Sequence, residues 1–215
     1  MPLVDLSHYI EHEMVTYPGL PGPHIGEYLS FDTSHEHYAA GTEFAIGRIE
    51  MIANTGTYLD TPAHRYRDGY DLTGLSLQSC ADLPAVVVDA AGPIGPSAFS
   101  GLVVGGSAVL LRTGWDRHWG SEHYGDPAHP HLTEDGALAL IDRDAVLVGI
   151  DSVNIDGTST GERPAHSLLL AAGIPVVEHL TRLSELPLTG ARFTAVPPKV
   201  RGLATFPVRA FASIP

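Results

Sequence analysis

The sequence is poor in cysteine, in basic residues and in long apolar runs, and each shortage excludes a class of protein. Cys80 is the only cysteine among 215 residues, so no intramolecular disulfide can form, and we expect a small buried side chain rather than a nucleophile. The 12 Lys and Arg residues face 25 Asp and Glu residues, and the formal charge of −13 argues against nucleic-acid and membrane partners. No apolar run approaches the ~20 residues that span a bilayer. We therefore expect a cytoplasmic protein with one domain, residues 1–215.

Histidine, by contrast, is abundant, with 12 copies in the chain. Imidazole is the commonest metal ligand and a general base near neutral pH, but a high count does not say which histidines matter. His35 and His37 are two residues apart and would project together only from a strand. We therefore assign them to an exposed surface loop.

Short apolar segments predict a mixed α/β domain rich in short strands. Apolar runs predict buried strands at 83–90, 107–114 and 145–152, with Asp151, Ser152 and Asp156 presented at the end of the last one. Further strands are predicted at 3–10, 44–52, 174–179, 192–196 and 210–214, and helices at 133–141, after an N-cap at Thr133, and at 167–173.

Two segments are predicted to be loops that contact a ligand or a partner. Residues 14–26 contain three prolines and three glycines, which forbid a continuous helix or a central strand. Residues 115–131 combine both tryptophans with a tyrosine and four histidines. This second loop could form a lid over a flat, apolar substrate or contact a partner subunit, and the sequence does not choose between them.

The chain is organised around the eleven residues from Asn54 to His64. They combine the amide of Asn54, the ring hydroxyl of Tyr58, the carboxylate of Asp60 and the imidazole of His64. A glycine and a proline interrupt the segment, which favours a bent loop over a regular helix or strand. We interpret it as the base of an active site.

Asp60 and His64, taken with His166 and Glu178, would suit a divalent ion. Zinc and manganese both accept mixed nitrogen and oxygen ligands. Spacing alone does not join the two pairs, because an Asp60 that caps a loop and a His64 that is structural are equally compatible with the pattern.

The segment Asn54–His64 resembles the signature of the cyclase / kynurenine formamidase-like family of metal-dependent hydrolases, His-Thr-Gly-Thr-His-x-Asp-x-Pro-x-His. Matches to the same family extend along the whole chain. They comprise Asp5-Leu-Ser-His8, Tyr17-Pro-Gly19, Leu110-Leu-Arg-Thr-Gly-Trp115, Val148-Gly-Ile-Asp-Ser152, and Ala165-His166 followed twelve residues later by Glu178.

The resemblance implies a swivelling β/β/α fold, a homodimer or homotetramer, and hydrolysis of an amide bond in a small aromatic or cyclic substrate such as formylkynurenine or isatin. It makes Asp60, His166 and Glu178 metal ligands and gives His64 an acid–base role. These four residues match the family pattern.

Three positions depart from the family pattern. Asn54 and Tyr58 replace two histidines that supply metal-ligand nitrogen, and an amide oxygen or a neutral phenol is a poorer zinc ligand. We therefore expect one divalent ion, zinc or manganese, rather than two. The acidic residue that often follows Tyr-Pro-Gly is Leu20 here.

Three functional hypotheses follow. In the favoured one, a single metal ion is held by the three ligands, His64 moves protons, and Tyr58 or Asn54 hydrogen-bonds the substrate carbonyl. In the second, a metal-free enzyme uses His64 with Asp60 or Glu178 for cyclisation, dehydration or lactone opening. In the third, the chain is a non-catalytic protein that binds a small molecule.

Overall fold

The computed structural model describes residues 1–215, and most of its thirteen short strands join one curled sheet. The strands are β1 (Leu3–Asp5), β2 (His24–Leu29), β3 (Ile46–Glu50), β4 (Tyr58–Asp60), β5 (Leu83–Asp89), β6 (Pro93–Ile94), β7 (Ala108–Arg112), β8 (His131–Leu132), β9 (Leu147–Ile150), β10 (Val176–Glu178), β11 (Thr189–Thr194), β12 (Thr205–Pro207) and β13 (Phe211–Ser213).

Nine strands form the main sheet in the order β1-β13-β11-β5-β7-β9-β10-β4-β12. The four central strands β5, β7, β9 and β10 are parallel, and every other pairing in this sheet is antiparallel. The expected α/β fold of the swivelling type, with a mixed sheet of short strands, is confirmed.

The central strands consist mainly of apolar residues because both faces of the sheet are covered. Along β5, Ala85 and Val87 belong to one buried cluster and Val86 and Val88 to a second one on the opposite face. This alternation follows from the two-residue period of a strand. The predicted strands at 83–90, 107–114 and 145–152 are confirmed, each with slightly shorter bounds.

The helices are few and short: α1 (Phe31–Ser34), α2 (Glu134–Ile141) and α3 (Pro164–Ala171). Thr133 caps α2 as predicted, because its Oγ1 accepts a hydrogen bond from the Gly136 amide at 3.1 Å. Helix α3 begins at Pro164, three residues before the predicted start, so that His166 lies inside the helix. None of the helices has the length and apolar character needed to cross a bilayer.

The expectation of a bent loop from Asn54 to His64 is wrong in its second half. Residues Tyr58–Asp60 form β4, and Pro62–His64 form a turn of 3₁₀ helix. Strand β12 was also missed, since no strand was predicted between 192–196 and 210–214. Both strands have only three residues, and pairing with distant segments rather than local periodicity defines them.

Strands β2 and β3 pair only with each other and form a two-stranded sheet separate from the main one, and we call residues 24–50 the arm. The predicted strand at 44–52 is confirmed as β3, whereas β2 begins within the segment predicted to be a loop. His35 and His37 are exposed on this arm, as predicted.

The aromatic segment at 115–131 contains two 3₁₀ turns, Trp115–His118 and Glu122–Gly125. Trp115 and Tyr124 pack with Val153 in a small buried cluster. No residue of this segment lines the cavity above Asp60 and His166. The lid and the contact with a partner subunit both stay predictions.

Candidate active site

Strand pairing brings the predicted site residues together. Tyr58 lies opposite Glu178 in the β4–β10 pair, and Asp60 lies opposite Thr205 in the β4–β12 pair. Tyr58 and Asp60 project to the same face because they are two residues apart in a strand, while Leu59 between them enters the core. Residues separated by over a hundred positions in the chain thus become direct cross-strand neighbours.

We call the buried set Tyr58, Asp60, His166 and Glu178 the floor. His166 reaches it from the first turn of α3, where its Nδ1 lies 2.7 Å from Asp156 Oδ2. The same carboxylate accepts hydrogen bonds from the backbone amides of Ala165 and His166 at 2.6 and 3.0 Å. Asp156 therefore fixes both the helix start and the imidazole, and it leaves Nε2 of His166 available.

Two buried atoms of the floor lack a hydrogen-bond partner, and they face each other. Asp60 Oδ2 and His166 Nε2 are 3.7 Å apart, and Glu178 Oε1 is 3.5 Å from the same Nε2. Buried polar atoms are seldom left unpaired in proteins. An arrangement of two carboxylate oxygens and one imidazole nitrogen fits a divalent cation, so the residues present match the expected group.

The charges of the floor favour a cation as well. Burial disfavours a charged imidazole, yet Glu178, Asp156 and Asp60 together raise the pKa of His166 to about 10. Burial opposes ionisation of Asp60 too, but the proximity and charge of His166 and the charge of His64 lower its pKa. Positive charge at this position is therefore strongly stabilised.

Tyr58 belongs to a directed chain of buried hydrogen bonds. Its hydroxyl lies 2.6 Å from Glu178 Oε2, which accepts the hydrogen, and 3.3 Å from His179 Nε2. Burial lowers the pKa of His179 to about 3, so its ring is neutral. This network assigns the His179 proton to Nε2, and Nδ1 then accepts from the Tyr124 hydroxyl at 2.8 Å.

The same contacts fix the state of the Tyr58 ring. Burial and the neighbouring charges of Glu178 and Asp60 raise the pKa of Tyr58 well above its ordinary value. It is thus a neutral phenol that donates to Glu178, whose other oxygen accepts from the Ile155 amide at 2.6 Å. Burial raises the pKa of Glu178 also, which a bound cation would counteract.

His64 stands at the edge of the floor with its side chain 35% exposed. Its Nδ1 lies 3.1 Å from the hydroxyl of Thr205, and that hydroxyl donates its only hydrogen to Asp60 Oδ1. Nδ1 must therefore carry the hydrogen that His64 donates, which leaves Nε2 as a free base. This tautomer suits a general acid–base residue.

Above the floor lies an open cavity of about 360 Å³. We call His64, Arg65 and Arg163 the rim of this cavity. The cavity is lined by Tyr17, Leu20, Asn54, Tyr58, His64, Arg65, Asn154, Arg163, His166 and Glu178. Five of the six residues predicted from the sequence line it, and Asp60 lies fully buried beside them.

One nitrogen or oxygen each from Asp60, His64 and His166 lies within 4.8 Å of the others, and Glu178 completes the set through its contact with His166. The roles of Thr205 and of both rim arginines were not predicted from the sequence. Asp156 carried a usable signal, because it follows a predicted buried strand. Thr205 carried none, since no motif surrounds it.

Comparison with known proteins shows the family of the chain. A sequence model of the putative cyclase family matches residues 4–157 of the chain. The kynurenine formamidase of Salinibacter ruber is 29% identical over 218 residues, covering 98% of this chain and 96% of the relative. The kynurenine formamidase of Bacillus mycoides is 27% identical over 180 residues, which cover 82% and 81% of the two chains.

Solved structures agree in fold. Isatin hydrolase A from Labrenzia aggregata, bound to benzyl benzoate, superposes with a TM-score of 0.86 at 23% identity, covering 99% of this chain and 93% of that one. A potential metal-dependent hydrolase with cyclase activity gives a TM-score of 0.78 at 24% identity and covers 98% and 96%. The family match spans well over half of the sequence, and the chain belongs to the putative cyclase family.

Proposed function

We propose that this protein is a metal-dependent hydrolase that cleaves the amide bond of a small aromatic substrate. The observation that carries the proposal is the pair of buried, unpartnered atoms Asp60 Oδ2 and His166 Nε2 below an open cavity. Relatives named kynurenine formamidase and a similar structure named isatin hydrolase support the aromatic amide as substrate.

Asp60, His166 and Glu178 would hold one divalent ion, zinc or manganese. Such an ion polarises a carbonyl and lowers the pKa of water toward neutrality. Asn54 and Tyr58 offer no imidazole for a second ion, and the Tyr58 hydroxyl already donates to Glu178. These contacts support a stoichiometry of one ion per chain.

His64 acts as the acid–base residue. Its Nε2 takes the proton of the attacking water and returns it to the leaving nitrogen, while the Thr205 hydroxyl holds Nδ1. Partial exposure lets the ring approach a substrate in the cavity. The base is thus anchored by one nitrogen and free at the other.

Asn54 and Tyr58 have different tasks. Tyr58 positions Glu178, because its hydroxyl is used between that carboxylate and His179. Asn54 lines the cavity and its amide donates a hydrogen bond to the substrate carbonyl as negative charge develops there. This division selects Asn54 for the task that the sequence analysis gave to either residue.

Metal analysis and a substrate screen test the proposal. Protein purified without chelator should contain one equivalent of zinc or manganese. It should hydrolyse aryl formamides or the cyclic amide isatin faster than lactones, and removal of the metal should abolish turnover. Full activity after removal of the metal would favour the metal-free hypothesis, and metal binding without turnover of any compound would favour a binding protein.

We further propose that two copies of the chain associate through the arm, residues 24–50. Ile25 and Ile49 pair across the hairpin and are 40% and 49% exposed, with Tyr28 exposed as well. A two-stranded hairpin alone is marginally stable in water, so an exposed apolar one needs a covering surface. A second copy of the chain supplies this surface, because it is present at the same concentration as the first.

Light scattering after size exclusion tests the association. The wild-type chain should elute as a dimer or tetramer, and the double change Ile25→Asp and Ile49→Asp should yield monomers. Leu77→Asp is a control, because Leu77 is exposed far from the arm in sequence. A wild-type chain that is monomeric at micromolar concentration would contradict the proposal.

A further inference from the structure

The rim of the cavity carries two arginines without an acidic partner. Five other arginines form ion pairs with carboxylates, namely Arg48, Arg112, Arg182, Arg192 and Arg209. Arg65 and Arg163 form none, although the chain has about twice as many acidic as basic residues. Six of the eleven arginines form no ion pair, and Arg65 and Arg163 are the two of these six that line the cavity.

Most donors of these two guanidinium groups have no protein partner. Arg65 uses only its Nε, which donates to the Ser167 hydroxyl at 3.0 Å. Arg163 uses only one terminal nitrogen, which donates to backbone carbonyl groups of the 157–162 loop, the shortest contact being 2.6 Å to Glu162. These anchors hold each side chain in place and leave its remaining N–H groups for a ligand.

The rest of the cavity wall does not neutralise the two charges. Glu178 is the only acidic residue among the lining residues, and it is buried in the floor with both oxygens hydrogen-bonded. Leu20 lines the same cavity at the position where the family pattern often has an acid. The rim is thus positively charged, and it has no acidic side chain that would bind a substrate ammonium group.

We propose that the substrate carries a carboxylate, which Arg65 and Arg163 bind at the rim while the amide bond lies above the floor. Guanidinium groups form strong, charge-assisted and often bidentate hydrogen bonds with carboxylates. This inference rests on the proposed function for the chemistry of the bond that breaks. The proposed substrate class is an aryl amide with an anionic ring substituent and no compensating positive charge.

Matched substrates test the inference in the metal-loaded enzyme. Formanilides that carry a carboxylate at the ortho, meta or para position are compared with the neutral carboxamides of the same shape. For at least one pair, kcat/KM of the carboxylate should exceed that of the carboxamide about tenfold or more, mainly through a lower KM. The preference should shrink when salt is raised from about 0.05 M to about 0.5 M, because the rim is partly exposed.

Arg65→Met is the decisive variant, since Arg163 also holds the 157–162 loop. It should reduce the carboxylate-to-carboxamide ratio of kcat/KM about tenfold. Arg67→Met removes the same charge two residues away, outside the cavity wall, and should leave the ratio at its wild-type value. Ratios within about twofold of one for all three wild-type pairs, or a ratio unchanged by Arg65→Met, would overturn the inference.

Binding without turnover separates this inference from the proposed function. Calorimetry should show that benzoate binds the wild-type protein more tightly than benzamide, and that Arg65→Met removes the difference. If no amide is cleaved but benzoate binds selectively, the proposed function fails and the anion site stands. If neutral formanilides are cleaved and benzoate has no advantage over benzamide, the inference fails while the proposed function stands.

Discussion

The floor and the rim of the cavity differ in how the protein holds them. Asp60 and Glu178 are 0% and 1% exposed, and strand pairing sets their positions. The rim residues His64 and Arg65 are partly or largely exposed, and one hydrogen bond each fixes their side chains to a neighbour. The positions of the floor residues therefore depend on the fold of the sheet, whereas the rim residues can be substituted without disturbing the sheet.

The largest expected effect comes from breaking the floor with Glu178→Gln. The change removes a negative charge from the proposed metal ligands, so the metal should be lost. The activation barrier should rise by several kcal/mol, which lowers kcat/KM about a thousandfold. Elemental analysis and a substrate assay measure both. The exposed Glu43→Gln is the control, and unaltered metal content in Glu178→Gln would remove Glu178 from the ligand set.

The second effect concerns the rim. His64→Ala should lower kcat about a hundredfold, because the proposed acid–base group is lost, and should keep one metal ion per chain. Thermal unfolding should change little, since the ring is partly exposed. Loss of the metal in this variant would instead assign His64 as a ligand, together with Asp60 and His166.

A smaller effect is expected when the support of the floor is removed. Tyr58→Phe deletes the hydroxyl that orients Glu178, and metal affinity should fall about 10- to 100-fold. Tyr124→Phe is a matched control, because it removes a buried hydroxyl two hydrogen bonds further along the same chain. Equal metal affinities in the two variants would show that Tyr58 does not position Glu178.

The last expected effect is on stability rather than on activity, and it depends on pH. His8 stacks on Trp119 at 3.9 Å between ring centroids, and burial lowers its pKa to about 4, although Asp116 opposes this shift. In the unfolded chain, His8 binds a proton below about pH 6.5, whereas in the folded chain it binds this proton only near pH 4. The free energy of unfolding should therefore fall as the pH drops through this window, with about 2 kcal/mol of the loss at pH 4.5 due to His8.

Denaturant unfolding of metal-free protein at pH 7 and pH 4.5 checks this prediction. His8→Phe keeps an aromatic stack and removes the titrating group, so its stability should fall by less over the same interval. His35→Phe, at an exposed position, should behave as the wild type does. The same acid loss in His8→Phe and wild type would show that His8 is not responsible.

The elements best predicted from the sequence are those whose burial is continuous. Strands β5, β7 and β9 were identified because both of their faces are covered, which makes them apolar runs. Helix α2 was identified because its cap is local. Strands β4 and β12 were not, since three residues give too short a pattern and their partners lie far away in the chain.

The chemistry of the candidate site could be predicted from the sequence, whereas its geometry could not. The residue types at Asp60, His64, His166 and Glu178, together with the family resemblance, predict a candidate site from the sequence alone. Only the tertiary structure decided that Tyr58 supports Glu178, that Thr205 holds His64, and that Arg65 and Arg163 share one cavity. The physical reason is that side-chain types depend on each residue alone, whereas hydrogen-bond partners depend on cross-strand pairing between distant segments.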